Sequence, residues 1–584
     1  MLITSINRYA LKLKIPLIFT CVFLLAFQGF YFIYSYGTNL PHWDDYDGIL
    51  FIEPFVKGGH FWQVDRFWNQ GDHMYIFPSI FTLVSVALSS WNVTYIMYFG
   101  LSLVAISIYP LYLMLKDLDS RLTWLIVPIS AFLFNPNQQE NMLWALTAEM
   151  FFFCSTCTIA SIFFLRRIKN KPFSLIPSIL FATIAAFSNI AGLIVWVVGS
   201  FTFYFQRQKK LFSIWIISAT TVFLIYFIFH TSPHYNYAQS TLFLSHPATA
   251  FSFIFLYVSN GLVINSQPLQ ILAGAIVLLL IIVGSIFLKF QKIEFGKIWP
   301  WVQLGLVGIL AGIITIVGRI ELGGPATSRY TTLANPAEIS ALAIGSFLFI
   351  RLLDSKRRKS VKITFSAILV ITSIMLSYSL IVTYSDGWNL GATYASGEVT
   401  LGLHCMYKPD TDLKCGPPVY PAPNQLHNVA EVLLNLHLSP FSIPGYSVFS
   451  YDKLMKNTSW DSMGKIKGLG KIEYIDANDT SHTEKIDVKR ELALTHATGW
   501  ANFDNGIAVD SAYLFIDDNV NSRAVYGIPQ NSTAIFLHHP DKTNRWISSI
   551  DLSKITSGCH KVSIRIVNDD KYYESVSSSQ FCIN

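Results

Sequence analysis

The sequence predicts a polytopic α-helical membrane protein that ends in a β-sandwich domain, and three observations predict this fold. The chain has 584 residues, of which 52% are hydrophobic and 13% charged; water-soluble proteins carry far more charge. Apolar runs of roughly 15 to 24 residues, near the length that crosses a bilayer, recur from Ile15 to Tyr384 and then stop. Beyond Tyr384 the chain changes to Gly, Pro, Asn, Ser and Asp with short alternating runs, which indicate strands and turns.

These changes of composition predict the domain organisation. A membrane domain over 1–384 includes an outer loop, 37–92, with a juxtamembrane half-helix; a linker with a short helix follows over 385–445, and a β-sandwich domain over 446–584. The run Ile15 to Tyr34 lacks the cleavage site of a signal peptide, so we expect it to stay as an anchor. The predicted local elements of the C-terminal part are a helix over 424–438 and strands over 513–516, 534–537, 546–550 and 561–567.

The distribution of Lys and Arg predicts the orientation, because positively charged short loops stay on the cytoplasmic side. Six basic clusters occur, at 8–14, 116–121, 166–171, 207–210, 289–297 and 351–362. Placing all of them inside predicts about eleven crossings, near 14–36, 94–115, 122–135, 148–166, 173–188, 191–206, 211–230, 268–288, 298–318, 333–351 and 361–384. The pieces 75–90 and 250–264 are then half-helices at the outer face. This scheme predicts a cytoplasmic N-terminus and a C-terminal domain on the outer side of the membrane.

The seven cysteines divide by region. Cys405, Cys415, Cys559 and Cys582 lie in the polar C-terminal part, where an even number fits two disulfides in an oxidising compartment. The simplest of three connectivities is Cys405–Cys415 with Cys559–Cys582, and four free thiols are the alternative. The three other cysteines, Cys21, Cys154 and Cys157, lie in apolar stretches. Cys154 and Cys157 have the spacing of a redox pair, but inside an apolar helix they are expected to be packing residues.

Polar residues that lipid would not tolerate gather in the loops predicted to be outside. Arg319 and Arg329 stand out, because a guanidinium matches a phosphate in two-point geometry and ionisable groups near bilayer depth indicate function by default. The alternative is that they pair with loop carboxylates such as Glu321 or Asp72.

Carboxylates in the first outer loop are candidates for a general base. Asp44 and Asp45 are adjacent, so at most one faces a given site while the other orients it or caps a helix. His73, after Asp72, could bind phosphate or transfer a proton. In the next polar loop, Glu140 and Asn141 could hold sugar hydroxyls and Trp144 could stack on a sugar ring; helix capping is the alternative for these residues.

Other functional signatures are absent from the sequence. It has no phosphate-binding loop, no HExxH zinc motif and no GxSxG elbow, and nothing supports nucleic-acid binding. His42 with Asp44, or Asp72 with His73, could contact a metal, but no set of four ligands has a familiar spacing. A divalent metal is therefore possible but not indicated, and no cofactor is required.

Four short motifs carry a family resemblance: Asp44-Asp45, Gly71-Asp72-His73, Gln139-Glu140-Asn141-Met142-Leu143-Trp144, and Ser328-Arg329-Tyr330-Thr331-Thr332. Together they resemble bacterial membrane-embedded glycosyltransferases of the GT-C class that use polyprenyl-phosphate sugars, and are similar to the glucosyltransferases of O-antigen serotype conversion. The segments around Gly499-Trp500-Ala501 and 558–562 look like a carbohydrate-associated β-sandwich.

The resemblance implies an inverting transfer of a sugar, by expectation glucose, from an undecaprenyl-phosphate carrier to a lipid-linked glycan such as O-antigen on the periplasmic face. It implies that Asp44 or Asp45 is the catalytic base. The implied donor-phosphate residues are Arg329, Arg319, His73 and Tyr330, and the implied sugar or acceptor residues are Asp72, Gln139, Glu140, Asn141, Trp144 and Glu321. Many family members have Glu where this chain has Asp72, so the role of that residue is open.

Three other function classes fit parts of the sequence. A polysaccharide transporter or flippase would also have many spans with buried charges. An O-antigen ligase or polymerase would use a diphosphate-linked glycan as donor. An outer-face binding or assembly protein would not need eleven spans.

Overall fold

The computed structural model describes the following residues: 2–37, 39–71, 73–230, 247–262, 266–290, 295–319, 327–354, 374, 376–391, 423–439, 463–475, 478–480, 484–488, 494–504, 509, 511–528, 545–552, 555–568 and 571–583. The chain forms two compact units. The first comprises Met1–Tyr34, His60–Val84 and Thr94–Trp388, and the second comprises Ser35–Gly59, Ser85–Val93 and Asn389–Asn584.

The first unit is helical, and seven described helices are long and apolar enough to cross a membrane: Lys14–Tyr36, Val93–Leu118, Ala145–Leu165, Lys209–Phe229, Gln267–Lys289, Gly296–Val317 and Ser328–Asp354. They correspond to seven of the eleven predicted crossings. The helix Ala145–Leu165 contains a π-helical turn over Ala148–Phe152. By length and composition, these helices agree with the predicted polytopic helical protein.

The other predicted crossings differ in length. The stretches 173–188 and 191–206 fold as the shorter apolar helices Pro172–Ala186 and Ile190–Gln206. The stretch 122–135 forms a 3-10 helix, Ser120–Leu125, and then an α-helix of eight residues, Ile126–Leu133. Most of 361–384 lies outside the described residues, although 376–391 is helical.

Short helices also occur where half-helices are predicted. Ile76–Ser89 has 14 residues and Pro247–Val258 has 12, too few for an ordinary membrane-crossing helix. Two smaller helices lie between the longer ones, at Asp65–Trp68 and Gln139–Leu143. A two-stranded hairpin, β1 (Asn69–Gln70) with β2 (His73–Met74), precedes the helix Ile76–Ser89.

Small residues let two long helices of the first unit approach closely. Gly305, Gly308 and Gly312 lie three and four residues apart and so share one face of the helix Phe295–Arg319. A Cβ at Gly308 would lie 2.7 Å from the backbone nitrogen of Ala337, and one at Gly305 would lie 2.6 Å from Oγ of Ser340. Close backbone approach at small residues is the usual packing mode of membrane helices.

The second unit contains the helices Ile49–Val56 and Pro423–Asn435 and a β-rich region. The strands are β3 (Gly464–Lys465), β4 (Gly468–Ile475), β5 (Asn478–Asp479), β6 (Lys485–Val488), β7 (Leu494–Phe503), β8 (Ser511–Ile516), β9 (Asn519–Ile528), β10 (Arg545–Asp551), β11 (Gly558–His560), β12 (Val562–Asn568), β13 (Lys571–Val576) and β14 (Gln580–Ile583). Three of the four predicted strands are confirmed as β8, β10 and β12; 534–537 lies outside the described residues.

These strands form a nine-stranded sheet in the order β3-β13-β12-β8-β9-β10-β7-β4-β5 and a three-stranded sheet, β11-β14-β6. Neighbours are antiparallel except for β3 with β13 and β6 with β14. Alternate residues point to one apolar core, which includes Ile472, Leu514, Trp546 and Ile564. Period-two alternation is what buries one face of a sheet.

Cys559 in β11 and Cys582 in β14 lie opposite each other and form a disulfide. Cys154 and Cys157 are free and buried. Cys405 and Cys415 lie outside the described residues.

Candidate functional site

The polar loop after Ile126–Leu133 is built by local capping. The side chain of Asn135 accepts a hydrogen bond from the Asn137 backbone N–H, and Pro136 occupies the first position of the 3-10 helix Pro136–Gln138. This is the arrangement that an Asn-Pro-Asn sequence favours, because Pro needs no hydrogen bond at that position. A short helix, Gln139–Leu143, continues directly from it.

This loop is bonded to the segment that begins the helix Thr331–Asp354. The Ser328 hydroxyl accepts from the Glu140 backbone N–H at 3.1 Å and donates to the Gln139 side-chain oxygen at 2.8 Å. The Asn141 amide donates to the Arg329 carbonyl at 2.8 Å and to the Thr332 hydroxyl at 2.7 Å. Two of the predicted motifs are therefore brought together within the first unit.

Arg329 is fixed by its backbone while its guanidinium is only loosely paired. Its backbone N–H donates to the Glu140 carboxylate at 2.9 Å. The guanidinium of Arg329 lies 3.9 Å from that carboxylate, and both side chains are 23% exposed. An ion pair at this distance and exposure contributes roughly 0–1 kcal/mol, so the guanidinium can exchange its partner at little cost. The predicted alternative, pairing of the arginines with Glu321 or Asp72, concerns residues outside the described part.

The aromatic residues of the two motifs are buried. The Tyr330 ring lies 6.0 Å from the Tyr257 ring and 5.6 Å from the Arg329 guanidinium carbon. Trp144 is only 5% exposed, so a sugar ring cannot stack on it in this conformation. Asn141 is also buried and acts as a positioning residue for Arg329 and Thr332.

The remaining predicted residues of the first unit are distributed as follows. His73 lies in β2 and accepts a hydrogen bond at Nδ1 from the Ile190 backbone N–H, with a length of 3.3 Å; its neutral tautomer then carries the proton at Nε2. Arg319 is the last residue of the helix Phe295–Arg319. Asp72, Glu321 and the side chain of Arg319 lie outside the described residues.

The candidate bases belong to the second unit, in the 3-10 helix Trp43–Gly48. The Asp45 carboxylate accepts from the His42 backbone N–H at 2.9 Å, and Asp45 is 6% exposed. Asp45 therefore caps the turn, which is the alternative that the sequence left open. Asp44 is half-buried.

Burial has a strong effect on two further titratable groups at this turn, His42 and Tyr46. It lowers the pKa of His42 to about 3, so His42 is neutral at physiological pH and provides no charge for a phosphate. Burial, with the nearby Asp45 charge, raises the pKa of the Tyr46 phenol above its ordinary value.

Two acids buried inside candidate membrane spans, Glu149 and Glu338, were not among the predicted site residues. Glu149, in the π-helical turn, accepts from the Tyr75 hydroxyl at 2.8 Å and from the Thr82 hydroxyl at 3.0 Å. Glu338 lies inside the candidate span Ser328–Asp354 and accepts from the Gly261 backbone N–H at 2.9 Å. An acid inside an apolar run is itself the signal that could have identified both residues.

Comparison of the chain with models of protein families, with curated proteins and with solved structures finds no match. The resemblance to membrane-embedded glycosyltransferases therefore rests on the short motifs alone.

Proposed function

We propose that this chain is an inverting glycosyltransferase of the bacterial inner membrane. It would transfer a sugar, by expectation glucose, from undecaprenyl-phosphate sugar to a lipid-linked glycan such as O-antigen on the periplasmic face. The observation that carries the proposal is the position of Arg329: its backbone is fixed by Glu140 and Asn141, while its guanidinium is partly exposed and weakly paired. Such a group suits the phosphate of a lipid carrier.

In this proposal, binding of the phosphate replaces the contact of the guanidinium with Glu140. The leaving group of the transfer is the carrier phosphate, so a planar cation at this point stabilises the charge that develops as the glycosidic bond breaks. Glu140 and Gln139, both half-buried at the same loop, would then face sugar hydroxyls. Position and charge are the main requirements of this chemistry.

The proposed general base is Asp44 or Asp45, and Asp44 is the first of the two to test because the Asp45 carboxylate accepts the His42 backbone N–H. This role comes from the resemblance and from the chemistry of a half-buried carboxylate that can take the proton of an acceptor hydroxyl. The proposed topology has eleven crossings with the β-rich region outside, where lipid-linked sugars are the available donors.

The experiment is a transfer assay with the purified full-length protein in nanodiscs, using radiolabelled undecaprenyl-phosphate glucose and lipid-linked O-antigen. Label should move to the glycan with the wild type and with Asp45→Asn at a reduced rate, and should not move with Asp44→Ala. Transfer at the wild-type rate by Asp44→Ala would remove Asp44 as the base. No transfer from any of a panel of polyprenyl-phosphate sugars would overturn the proposed activity.

A lipid-glycan transporter is the alternative that one observation favours, namely the acid Glu338 in the middle of a candidate span. Transporters commonly place such groups near the bilayer midplane. A flipping assay with a fluorescent lipid-linked glycan in proteoliposomes separates this alternative, because only a transporter would move the glycan without forming a new glycosidic bond.

A further inference from the structure

Glu338 lies at a depth where a lone carboxylate is costly. It is ten residues beyond Ser328 in a 27-residue candidate span, which corresponds to about 15 Å along the helix. The side chain is buried, with 3% of the residue exposed. At the middle of a membrane span an ionised side chain needs a partner or a cavity that stabilises it.

The contacts of this carboxyl group are incomplete within the described part of the chain. Oε1 accepts from the Gly261 backbone N–H at 2.9 Å, whereas Oε2 is buried and has no hydrogen-bond partner among the described residues. A Cβ at Gly261 would lie 2.3 Å from Oε2, so this oxygen packs directly over the Gly261 backbone. The Glu338 carboxyl group fits at this position because Gly261 has no side chain.

Asn335 and Asn260, which are neighbours of Glu338 and Gly261 in the chain, also have buried oxygens without a hydrogen-bond partner among the described residues. Asn335 precedes Glu338 by three residues and so shares its helix face, and Asn260 directly precedes Gly261. The amide nitrogens of both are used: Asn335 donates to the Phe132 carbonyl at 3.1 Å and Asn260 donates to the Thr327 carbonyl at 3.0 Å. Their Oδ1 atoms are buried and, within the described residues, have no partner.

The hydrogen bonds donated by the amide nitrogens of Asn335 and Asn260 fix the orientation of these side chains. Three buried acceptor oxygens then remain: Oδ1 of Asn335, Oδ1 of Asn260 and Oε2 of Glu338. A single added proton could serve at most two of these oxygens, whereas an alkali cation accepts several oxygen ligands. Only Glu338 among them carries charge, so a divalent ion would leave an uncompensated positive charge in a low-dielectric interior. A monovalent ion would give a neutral site.

The local fold fits such a site. The helix Pro247–Val258 ends just before the turn that holds Asn260 and Gly261, and that turn crosses the first half of the helix Thr331–Asp354. Breaks in helices near the bilayer midplane are where transporters commonly hold small cations, by carboxylate and carbonyl oxygens. Glu149, the acid buried in the candidate span Ala145–Leu165, differs because the hydroxyls of Tyr75 and Thr82 already bond to its carboxylate.

We propose that Glu338, Asn335 and Asn260 bind a monovalent alkali cation in the interior of the helical unit. This site is separate from the proposed phosphate group at Arg329, and it does not depend on the transferase activity. The ion fixes the Asn260–Gly261 turn against the helix Thr331–Asp354. Because the ion binds the folded state, it should raise the stability of the protein in a saturable way.

The test is the thermal-unfolding midpoint of the full-length protein in nanodiscs, titrated with NaCl, KCl or LiCl against choline chloride at constant ionic strength. We expect at least one alkali cation to raise the midpoint by roughly 2 °C or more over choline. In Glu338→Gln, which keeps the size and the acceptor for Gly261, the concentration for half-maximal effect should rise at least tenfold. Glu149→Gln is the matched control and should keep the wild-type concentration.

Asn335→Ala provides a second variant that retains the carboxylate, and it should also raise the half-maximal concentration if Glu338→Gln does not fold. The proposal is overturned if no alkali cation acts differently from choline. It is also overturned if both site variants respond as the wild type does, or if the midpoint changes with pH alone and not with cation.

Discussion

At Arg329, the bonds that position the residue are distinct from the charge that could act on a ligand. The Glu140 carboxylate receives the backbone N–H, and the Asn141 amide bonds to the carbonyl. A change of side chain should therefore leave the backbone in place. The charge is available because its contact with Glu140 is long and partly exposed.

This separation gives a prediction for Arg329→Lys. The variant retains a positive charge but loses the planar fork that contacts two phosphate oxygens, so we expect the KM for the lipid donor to rise by roughly tenfold, with little change in the unfolding midpoint. Steady-state transfer kinetics at varied donor concentration measure this. Arg121→Lys, in an exposed pair with Asp119 and Asp354, is the control, and unchanged donor kinetics in Arg329→Lys would remove the phosphate role.

At the scale of helices, the contact between Phe295–Arg319 and Thr331–Asp354 depends on the absence of side chains. Gly308→Leu would place a Cβ 2.7 Å from the Ala337 backbone, and the helices would have to move apart. Overpacking of this kind costs about 1–3 kcal/mol, so we expect a clear fall in the unfolding midpoint in nanodiscs. Gly296→Leu is the matched control, because no atom lies within 4 Å of its added Cβ; equal midpoints for the two variants would contradict the packing argument.

Strands β12 and β13 carry a pH-dependent contribution to stability. Burial opposes the ionisation of Glu574, but bonds from Lys465, Arg565 and Ser563 outweigh it and hold its pKa below the ordinary value of 4.5. The folded state therefore keeps Glu574 ionised at pH values where the unfolded chain binds a proton. This stabilisation is complete above that ordinary value and is lost as pH falls through the lower pKa of the folded state.

We therefore expect hydrogen exchange in β12 and β13, corrected for the intrinsic rate, to become faster as pH falls from about 6 to about 3. Glu574→Gln should exchange faster than the wild type at the higher pH and should show a smaller change on acidification. Mass spectrometry of peptides from 562–576 of the full-length protein measures both. The same pH dependence in wild type and variant would show that other groups cause it.

The sequence predicts features that depend on neighbouring residues better than features that depend on residues far apart in the chain. Hydrophobic run length predicts the long helices well, because burial in lipid depends on composition alone. At 122–135 the described α-helix is short, because a 3-10 helix capped by Asp119 precedes the eight-residue helix Ile126–Leu133. The sequence also selected the segments of Glu140 and Arg329, but their pairing joins residues far apart in the chain, and no local pattern encodes it.

The positions of the buried acids also depend on contacts between residues far apart in the chain. Sequence reasoning concentrated on charges in loops, whereas Glu149 and Glu338 lie inside apolar runs and depend on tertiary partners such as Tyr75 and Gly261. The capping role of Asp45 was one of two open alternatives, and only the distance of its carboxylate from the His42 N–H decides it. The residue type alone allows Asp45 to be a cap or a base, and the hydrogen bond from the His42 backbone N–H shows that it caps the turn.

At the scale of the whole molecule, the arrangement across the membrane follows from charge and from redox chemistry. Every basic cluster is expected inside by the charge rule, and the Cys559–Cys582 disulfide needs an oxidising compartment. Both considerations place the β-rich region on the periplasmic side as a prediction. Lys169, in a basic cluster, and Lys467, between β3 and β4, are exposed in the structure and can report the two sides.

We expect Lys467→Cys to react with a membrane-impermeant maleimide in intact spheroplasts, and Lys169→Cys to react only after the membrane is opened. The physical reason is that a charged reagent does not cross the bilayer, so labelling reports the side on which the thiol lies. The wild-type chain gives the background labelling, because it retains the free Cys21, which is half-buried, and the free Cys154 and Cys157, which are buried. Labelling of Lys169→Cys in intact spheroplasts, with Lys467→Cys protected, would reverse the orientation. It would also contradict the periplasmic transfer reaction, because the donor and acceptor would then have to be cytoplasmic.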